Sequence, residues 1–390
     1  MSRLPKPLSE IAPIGRRGFL AGATALAAVG PGCAGADTPP PGLDTRPGLG
    51  TVAAAKNILF GACSRGLLPE NGRLRIAHDE DYATLFKHEC RMLTTEYQVG
   101  ISPRADKWDF RVTDLLMDYA TTNGMAFRGH CLIWPAALPS WFKHTVDSDN
   151  AEAMVTNHVQ TICSRYAGRV VSWDVVNEAI TDGDRAADDG LRKGPLLSAL
   201  GPRFIDIAFK AAHAADPKAV LCLNQDAVEY DVDSQDYRRE KTLATLRRLV
   251  DAKVPVHALG IQSHLEPGWL RFSPDVLNRF LDDVAALGLK VFITELDILD
   301  RRLPADIPER DQAAAQAMRN YLDVVLTHPA VPLVNCWGLS DRYNWIQESM
   351  PRKDGRRSRA QLFDDDLAPK PVYQVLSDAL NATAARSQKL

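Results

Sequence analysis

The sequence has few cysteines, and none of them is spaced as in a metal or redox motif. Seven of the 390 residues are cysteine, and no Cys-x-x-Cys occurs. This absence argues against a zinc ribbon or a thioredoxin-like centre. No His-x-His occurs either, although that is the ligand spacing expected of a metal-dependent barrel hydrolase. We expect most cysteines to be small buried hydrophobic residues, while a disulfide among them stays open.

Charge of one sign and long hydrophobic runs are also scarce. The formal net charge is −3 and the isoelectric point is near 6.3. No global field therefore attracts nucleic acid or an anionic membrane surface, and we expect neither as a partner. The longest apolar stretch near the start, 21–29, is too short to span a bilayer as a helix.

The first 36 residues have the features of an export signal. Arg16-Arg17-Gly18-Phe19-Leu20 is a twin-arginine pattern, and the alanine-rich stretch 21–29 follows it. Ala34-Gly35-Ala36 provides a small-x-small cleavage site. We therefore predict a twin-arginine signal peptide over 1–36 and a periplasmic or secreted protein. Cys33 leaves a lipoprotein anchor open as the alternative.

After this segment the sequence predicts a linker and one large domain. The stretch 37–55 is rich in Pro and Gly and reads as a linker, 56–382 as the domain, and 383–390 as a tail. Short apolar runs predict eight strands at 58–62, 92–96, 126–132, 170–175, 219–223, 257–262, 290–295 and 333–337. Amphipathic stretches between them predict helices at 109–123, 150–166, 202–215, 234–253, 273–287 and 308–328. Eight alternating units favour an α/β fold of the closed (β/α)8 TIM barrel type, and no GxGxxG follows the first strand to suggest a dinucleotide-binding sheet.

Carboxylates stand at the ends of two predicted barrel strands. Glu178 ends the fourth strand in Trp-Asp-Val-Val-Asn-Glu, and Glu295 ends the seventh in Ile-Thr-Glu-Leu-Asp. Carboxyl ends of barrel strands share one face, where active sites of this fold are built. Hydrolysis of a glycosidic bond with retention needs two carboxyl groups about 5–5.5 Å apart. The pair therefore predicts a retaining glycoside hydrolase with Glu178 as general acid/base and Glu295 as nucleophile.

Neighbouring polar residues fit the same reaction. Asn177 is placed to hydrogen-bond the 2-hydroxyl of the sugar at the cleavage point. His264 follows the sixth strand in Gln262-Ser263-His264 and can hold Glu295, and Asp297 can orient His264. We therefore expect these groups to surround the two glutamates.

Several motifs in order carry a resemblance to a known family. The chain resembles glycoside hydrolase family 10, the endo-β-1,4-xylanase family, over about residues 56–382. The segments that carry the resemblance are 128–134 (RGHCLIW), 173–178 (WDVVNE), 260–264 (GIQSH), 294–297 (TELD), 337–341 (WGLSD) and 362–366 (LFDDD).

The resemblance implies roles for individual side chains. Glu178 resembles the acid/base and Glu295 the nucleophile, without a cofactor or metal. Other positions resemble residues that contact the sugar or wall its pocket, namely Glu96, His130, Trp134, Asn177, Gln262, His264, Trp337 and Trp345. The implied partner is a xylan-like polysaccharide or oligosaccharide, and we expect a monomer.

Five positions depart from the family pattern. Tyr97 and Gly100 replace an asparagine and a lysine, Pro135 and Ala137 replace the His and Gln of His-x-Gln, and Asp226 replaces a tyrosine. Losing groups that hydrogen-bond a hydroxyl can change substrate choice strongly. Xylan is the expected substrate, with a decorated xylan or a small glycoside as the alternative. A non-catalytic carbohydrate-binding barrel is the alternative from another class.

Overall fold

Eight parallel strands close into a barrel in the computed structural model, which describes residues 46–68, 76–100 and 107–387. Each strand pairs with the next in sequence, and β8 pairs with β1, which confirms the predicted (β/α)8 barrel. The strands are β1 Leu59–Cys63, β2 Met92–Thr94, β3 Ala126–Gly129, β4 Ser172–Asn177, β5 Val220–Gln225, β6 Ala258–Ile261, β7 Lys290–Ile298 and β8 Leu333–Cys336.

The strands are largely buried because both of their faces are covered. Every residue of β4 and of β8 is buried. One face packs against the surrounding helices and the other fills the barrel, as is usual for an all-parallel sheet. Inside, one cluster combines buried side chains of β2, β5, β6, β7 and β8, which only the barrel interior can bring together: Met92, Cys222, Ala258, Phe292 and Leu333.

Twelve α-helices lie in the described ranges. They are α1 Leu49–Ala54, α2 Glu80–Glu89, α3 Arg111–Thr122, α4 Ser140–Thr145, α5 Ala151–Tyr166, α6 Pro195–Leu200, α7 Arg203–Ala215, α8 Asp233–Asp251, α9 Pro274–Ala286, α10 Ile307–Val325, α11 Trp345–Ser349 and α12 Pro371–Ala382. The six predicted helices correspond to α3, α5, α7, α8, α9 and α10.

Helix α9 shows how the local sequence sets such an element. Ser273 precedes it, and its hydroxyl accepts the N–H of Val276, while Pro274 occupies the first turn. The buried residues 277, 280, 281 and 284 have the spacing of one helix face. Gly288 follows the end with a φ of 78°, a left-handed conformation that glycine adopts readily.

The predicted domain boundaries need correction at both ends. The linker predicted over 37–55 is too long, because 49–54 form α1 and Leu49 and Ala53 are fully buried. The tail predicted over 383–390 is also too long. Arg386 is buried and donates to the carbonyls of Leu326 and Val331 at 2.8 and 2.9 Å.

The two ends of the described chain meet at the amino ends of the barrel strands. Lys56 Nζ donates to the carbonyl of Thr383 at 2.9 Å, and Asn57 Nδ2 donates to that of Arg386 at 2.8 Å. These contacts lie just before β1, on the face opposite the strand ends that carry Glu178 and Glu295.

The predicted signal peptide over 1–36, including Cys33, and the first part of the predicted linker lie outside the described residues. Among the helices that are described, none combines the length and apolar character needed to cross a membrane.

Candidate functional site

Glu178 and Glu295 both lie at the carboxyl end of the barrel. Glu178 directly follows β4, and Glu295 lies in the second half of β7. Each of these strands shifts its register against a neighbour near its glutamate. Such irregularities re-aim side chains and are frequent next to active sites.

The backbone of Glu178 has an uncommon conformation. Its φ is 52°, which costs a residue with a side chain of the order of 1–3 kcal/mol. Two contacts hold it: its N–H donates to the carbonyl of Asn224 at 2.8 Å, and its carbonyl accepts from Arg192 Nε at 3.0 Å. The strained residue is therefore clamped between strand β5 and the loop that follows β4.

Three amide side chains connect the two carboxylates. Gln262 Nε2 donates to Glu178 Oε1 at 3.2 Å and lies 3.3 Å from Asn177 Oδ1. Asn224 Nδ2 donates to Asn177 Oδ1 at 2.8 Å and to Glu295 Oε1 at 2.7 Å. A continuous polar chain therefore runs from one glutamate to the other.

The strands approach closely at this point because of Gly260. A Cβ atom on Gly260 would lie 2.3 Å from Asn224 Oδ1 and 2.9 Å from Thr294 Cγ2. Thr294 Oγ1 also donates to Asn224 Oδ1 at 2.7 Å, which fixes the amide so that its nitrogen faces Glu295. The glycine thus makes room for the side chain that joins the network.

The surroundings of Glu178 favour its protonated form. Burial is the largest cause that raises its pKa, and the negative charges of Asp226 and Glu295 add to it. Gln262 and Trp134, whose Nε1 donates to Glu178 Oε2 at 3.1 Å, oppose the shift without cancelling it. The result is a carboxyl whose pKa lies above its ordinary value.

The surroundings of Glu295 favour its ionised form. Burial alone would raise its pKa, but the hydrogen bonds of His264 and Asn224 and the charges of His130 and His264 outweigh that effect. His264 Nε2 lies 3.2 Å from Glu295 Oε2, and His130 Nδ1 lies 3.9 Å from Oε1. The pKa of Glu295 is therefore lowered.

His264 is held between two carboxylates. Its Nδ1 lies 2.8 Å from Asp297 Oδ1 while its Nε2 faces Glu295, so only the charged imidazolium donates to both. Burial lowers the pKa of His264, but the two carboxylates raise it well above the ordinary value. Trp345 Nε1 donates to Asp297 Oδ2 at 2.7 Å. The hydrogen bonds therefore run from Trp345 through Asp297 and His264 to Glu295.

His130 and Trp337 form a second wall. His130 Nδ1 lies 2.8 Å from Asp174 Oδ2, and its ring meets Trp337 edge-on with centroids 5.0 Å apart. Asp174 also accepts from Arg128, and this ion pair is fully buried. The ring of Trp134 also lies near His130, at 6.3 Å between centroids.

Glu96 lies at the end of β2 in a separate group of charges. Arg65 donates to Glu96 and also to Glu348 of α11. The nearby thiol of Cys63 is linked to both groups of charges. Burial is the main cause that raises its pKa, and the negative charges of Glu96 and of Glu295 raise it further. Glu96 is thus at the mouth, engaged by an arginine that the sequence analysis had not considered.

The positions that depart from the family pattern differ in where they point. Tyr97 is 54% exposed beside Glu96. Gly100 is buried with a φ of 69°, and a Cβ there would meet Phe110 and Ile162 at 3.0 Å. Position 100 therefore faces helix α5 rather than the mouth. Asp226 Oδ1 accepts from Arg238 Nη1 at 2.8 Å.

Sequence reasoning placed Glu178, Glu295, Asn177, Gln262, His264, Asp297, His130, Trp134, Trp337 and Trp345 at one site, and the structure brings these ten together. It missed Asn224 as a bridging residue, the Arg128–Asp174 pair and Arg192. Arg128 and Asp174 stand inside motifs already identified, and Asn224 stands two positions before Asp226 near the end of a strand, which was the available signal.

The arrangement combines a carboxyl group whose pKa is raised, that of Glu178, with one whose pKa is lowered, that of Glu295. Two carboxyl groups whose environments separate their pKa values can act as proton donor and as nucleophile or base. Within the described ranges, no three His, Cys, Asp or Glu side chains are grouped in a way that could hold a metal ion.

Comparison with known proteins gives consistent matches over the barrel. Residues 48–379 match the model of the family described as glycosyl hydrolase family 10. A β-1,4-xylanase of Dictyoglomus thermophilum is 32% identical over 305 residues, which are 75% of this chain and 82% of that protein. An endo-1,4-β-xylanase B of Paenibacillus barcinonensis is 31% identical over 289 residues, 70% of this chain and 82% of that protein.

Solved structures show the same similarity. The crystal structure of xylanase 10B from Thermotoga petrophila RKU-1 in complex with xylobiose has a TM-score of 0.75 and 27% identity, and the match covers 87% of this chain and 98% of that one. Native xylanase 10B from Thermotoga maritima has a TM-score of 0.74, also at 27% identity, over 85% and 98%.

Proposed function

We propose a reaction for this chain on the premise that it belongs to glycosyl hydrolase family 10 and is a glycoside hydrolase of the xylanase type. The reaction is hydrolysis of β-1,4 bonds in xylan or xylo-oligosaccharides by double displacement. The observation that carries this proposal is the placement of Glu178 and Glu295 together at the carboxyl end of the barrel, joined by a chain of amide side chains. The pKa shifts agree with it, since the pKa is raised for Glu178 and lowered for Glu295.

In the first step an oxygen of Glu295 attacks the anomeric carbon while the bond to the leaving oxygen breaks. Glu178 gives its proton to that oxygen, so the departing sugar leaves as a neutral alcohol. In the second step Glu178, now ionised, takes a proton from water. The water oxygen attacks the same carbon and releases Glu295 as a carboxylate, so the configuration is retained overall.

The groups around the pair support these steps. The side-chain oxygen of Asn177 accepts hydrogen bonds from Asn224 and Gln262. The side-chain N–H of Asn177 therefore stays available to donate to the 2-hydroxyl of the sugar. Such a contact strengthens as charge develops in the transition state. We assign sugar contacts also to Glu96, His130, Trp134, Gln262, His264, Trp337 and Trp345, with Asp297 as the support of His264.

We propose further that substrate choice is shifted relative to a typical xylanase. Tyr97 is exposed beside Glu96, Arg65 engages Glu96 directly, and Asp226 is engaged by Arg238. These changes alter contacts to neighbouring sugars, while both reacting carboxylates are kept. A decorated xylan or a small glycoside is therefore the second candidate substrate.

One experiment tests the reaction itself. Incubation with a 2-fluoro xylobioside bearing a good leaving group should trap a covalent sugar on Glu295, seen by mass spectrometry of the peptide that contains it. The Glu295→Gln variant is the matched control and should carry no label. Absence of label in the folded wild-type protein would favour a non-catalytic carbohydrate-binding barrel.

A second experiment tests the substrate. Release of reducing ends is compared on unbranched xylan, glucuronoxylan, arabinoxylan and aryl xylosides. Ordinary activity and affinity on unbranched xylan would contradict the shifted substrate choice and leave the double-displacement reaction intact.

We propose that the protein is exported through its twin-arginine segment and acts as a monomer. Replacing Arg16 and Arg17 by lysine should retain the precursor in the cytoplasm, as followed by fractionation. Replacing Cys33 by alanine should release the protein from the membrane if it is lipid-anchored. The same replacement should leave the fractionation of a soluble protein unchanged.

A further inference from the structure

Glu229 is a buried carboxylate outside the set of residues assigned to the reaction. It lies in the loop after β5 and is 3% exposed. Its Oε1 accepts the backbone N–H of Ser263 at 2.9 Å, and its Oε2 accepts that of Val228 at 2.8 Å. Over the ranges that the structure describes, no lysine, arginine or histidine is ion-paired with it.

The loop that carries Glu229 is anchored from behind. Arg239 of α8 donates to the carbonyls of Val228 and Tyr230, both at 2.7 Å, and Gln235 Oε1 accepts the N–H of Tyr230 at 2.6 Å. The carbonyls on both sides of Glu229 are therefore tied to a helix. The carboxylate is a fixed point against which another segment can be held.

The segment that the Glu229 carboxylate holds is the turn at Ser263. Its φ of 64° is a left-handed conformation, which costs a residue with a side chain of the order of 1–3 kcal/mol and persists only when its surroundings impose it. Besides the contact with Glu229, Ser263 Oγ lies 2.5 Å from the hydroxyl of Tyr321. Its carbonyl accepts the N–H of Asp297 at 3.3 Å.

The two neighbours of Ser263 reach the two reacting carboxylates. Gln262 contacts Glu178 and His264 contacts Glu295, both at 3.2 Å. A change in the backbone at Ser263 would therefore move both contacts together. We propose that Glu229 is a positioning residue, whose carboxylate holds the turn at Ser263 so that Gln262 and His264 reach the acid/base and the nucleophile.

This inference rests on the proposed reaction, and its test has a readout that needs no substrate. A Glu229→Gln variant offers one oxygen and one NH2 group to two backbone N–H groups, so one of them loses its acceptor. The turn should relax, and His264 should move away from Glu295. The pKa of Glu295, measured by NMR of the ¹³C-labelled carboxyl group and assigned with Glu295→Gln, should rise by about one pH unit.

The titratable groups that face Glu229 are Asp226, Tyr230 and Tyr321. The tyrosines have raised pKa values through burial first, so neither ionises in the range where Glu295 titrates. In parallel, kcat/KM on an active xyloside should fall about 10- to 100-fold, because a small misplacement of reacting groups is costly.

Glu89 offers a matched control. It is also a buried carboxylate that accepts a backbone N–H, that of Leu49 at 2.8 Å, but it lies at the amino end of the barrel. Glu89→Gln should leave the titration of Glu295 and the pH profile unchanged.

Unchanged titration of Glu295 in folded Glu229→Gln, or an equal shift in Glu89→Gln, would overturn the positioning role. If Glu229→Gln does not fold, Tyr321→Phe removes only the hydroxyl that contacts Ser263. It should give a smaller shift in the same direction, and no shift would overturn the role. A wild-type protein without glycosidase activity would refute the proposed function, while the titration would still decide on Glu229.

Discussion

Replacing His264 by glutamine should move the acidic limb of the pH profile of kcat/KM to higher pH. That limb reports the ionisation of Glu295 in the free enzyme, because the nucleophile reacts only as a carboxylate. The charge of His264 stabilises that carboxylate, so its removal raises the pKa of Glu295. Glutamine keeps an N–H donor, which makes the change mainly one of charge.

The size of the shift follows from the contact. The 3.2 Å separation of His264 Nε2 and Glu295 Oε2 gives about 5 kcal/mol at an effective dielectric constant of about 20, an upper value before reorganisation. An opposite charge within about 4–6 Å shifts the pKa of a carboxyl group by about 1–3 units, which is about 1.4–4 kcal/mol. Because glutamine keeps the hydrogen bond, we expect a rise in the lower part of that range, about one to two pH units.

The assay is kcat/KM on an aryl β-xylobioside between pH 3.5 and 9, with folding checked by thermal unfolding. His328→Gln is the matched control, since His328 is also buried and lies 3.2 Å from a carboxylate, that of Asp282, away from the mouth. An acidic limb that stays in place in folded His264→Gln, or that moves equally in the control, would refute the assignment of charge stabilisation to His264.

Further outcomes are expected from other changes. Glu178→Gln should lower hydrolysis of xylan about 10²- to 10⁴-fold, yet retain a burst with aryl glycosides whose leaving groups need no proton, as seen by stopped-flow absorbance. Asp226→Asn should move the alkaline limb to lower pH, because the charge of Asp226 helps burial to raise the pKa of Glu178; a move to higher pH would contradict this. Asp174→Ala leaves Arg128 buried and unpaired and should cost about 3–5 kcal/mol in urea unfolding; a loss below about 1 kcal/mol would contradict this. All six cysteines in the described ranges are buried and free, so a thiol reagent should find them only after denaturation, and a reductant should not change the melting temperature.

The barrel and the reacting pair could be predicted because each has a local signal. Every barrel strand is largely buried and contains a short apolar stretch, and every predicted helix has an amphipathic spacing, so the eight units were visible in sequence. Glu178 follows β4 directly, and Glu295 follows the apolar run of β7 after a single threonine. Parallel strands in a barrel then place their ends on one face, whatever the distance along the chain.

Contacts that depend on tertiary structure could not be predicted in this way. Arg65 and Glu348 are 283 positions apart and meet only because β1 and β8 are neighbours in the closed barrel. Helix α1 has six residues between a Pro/Gly-rich stretch and β1, too short for a periodic pattern, and it is stabilised by packing. Gly100 stands where the family usually has a lysine. A side chain at this position would face α5 and not the mouth, which a comparison of residue types does not reveal.

The junction of the two chain ends has a practical consequence. Lys56 and Asn57 bind the backbone of Thr383 and Arg386 on the underside of the barrel, away from the mouth. A carbohydrate-binding module or a tether to a solid support, fused directly after Arg386, would therefore hold the enzyme with its cleft pointing outward. Even a bulky polymer could then approach an immobilised molecule without passing its point of attachment.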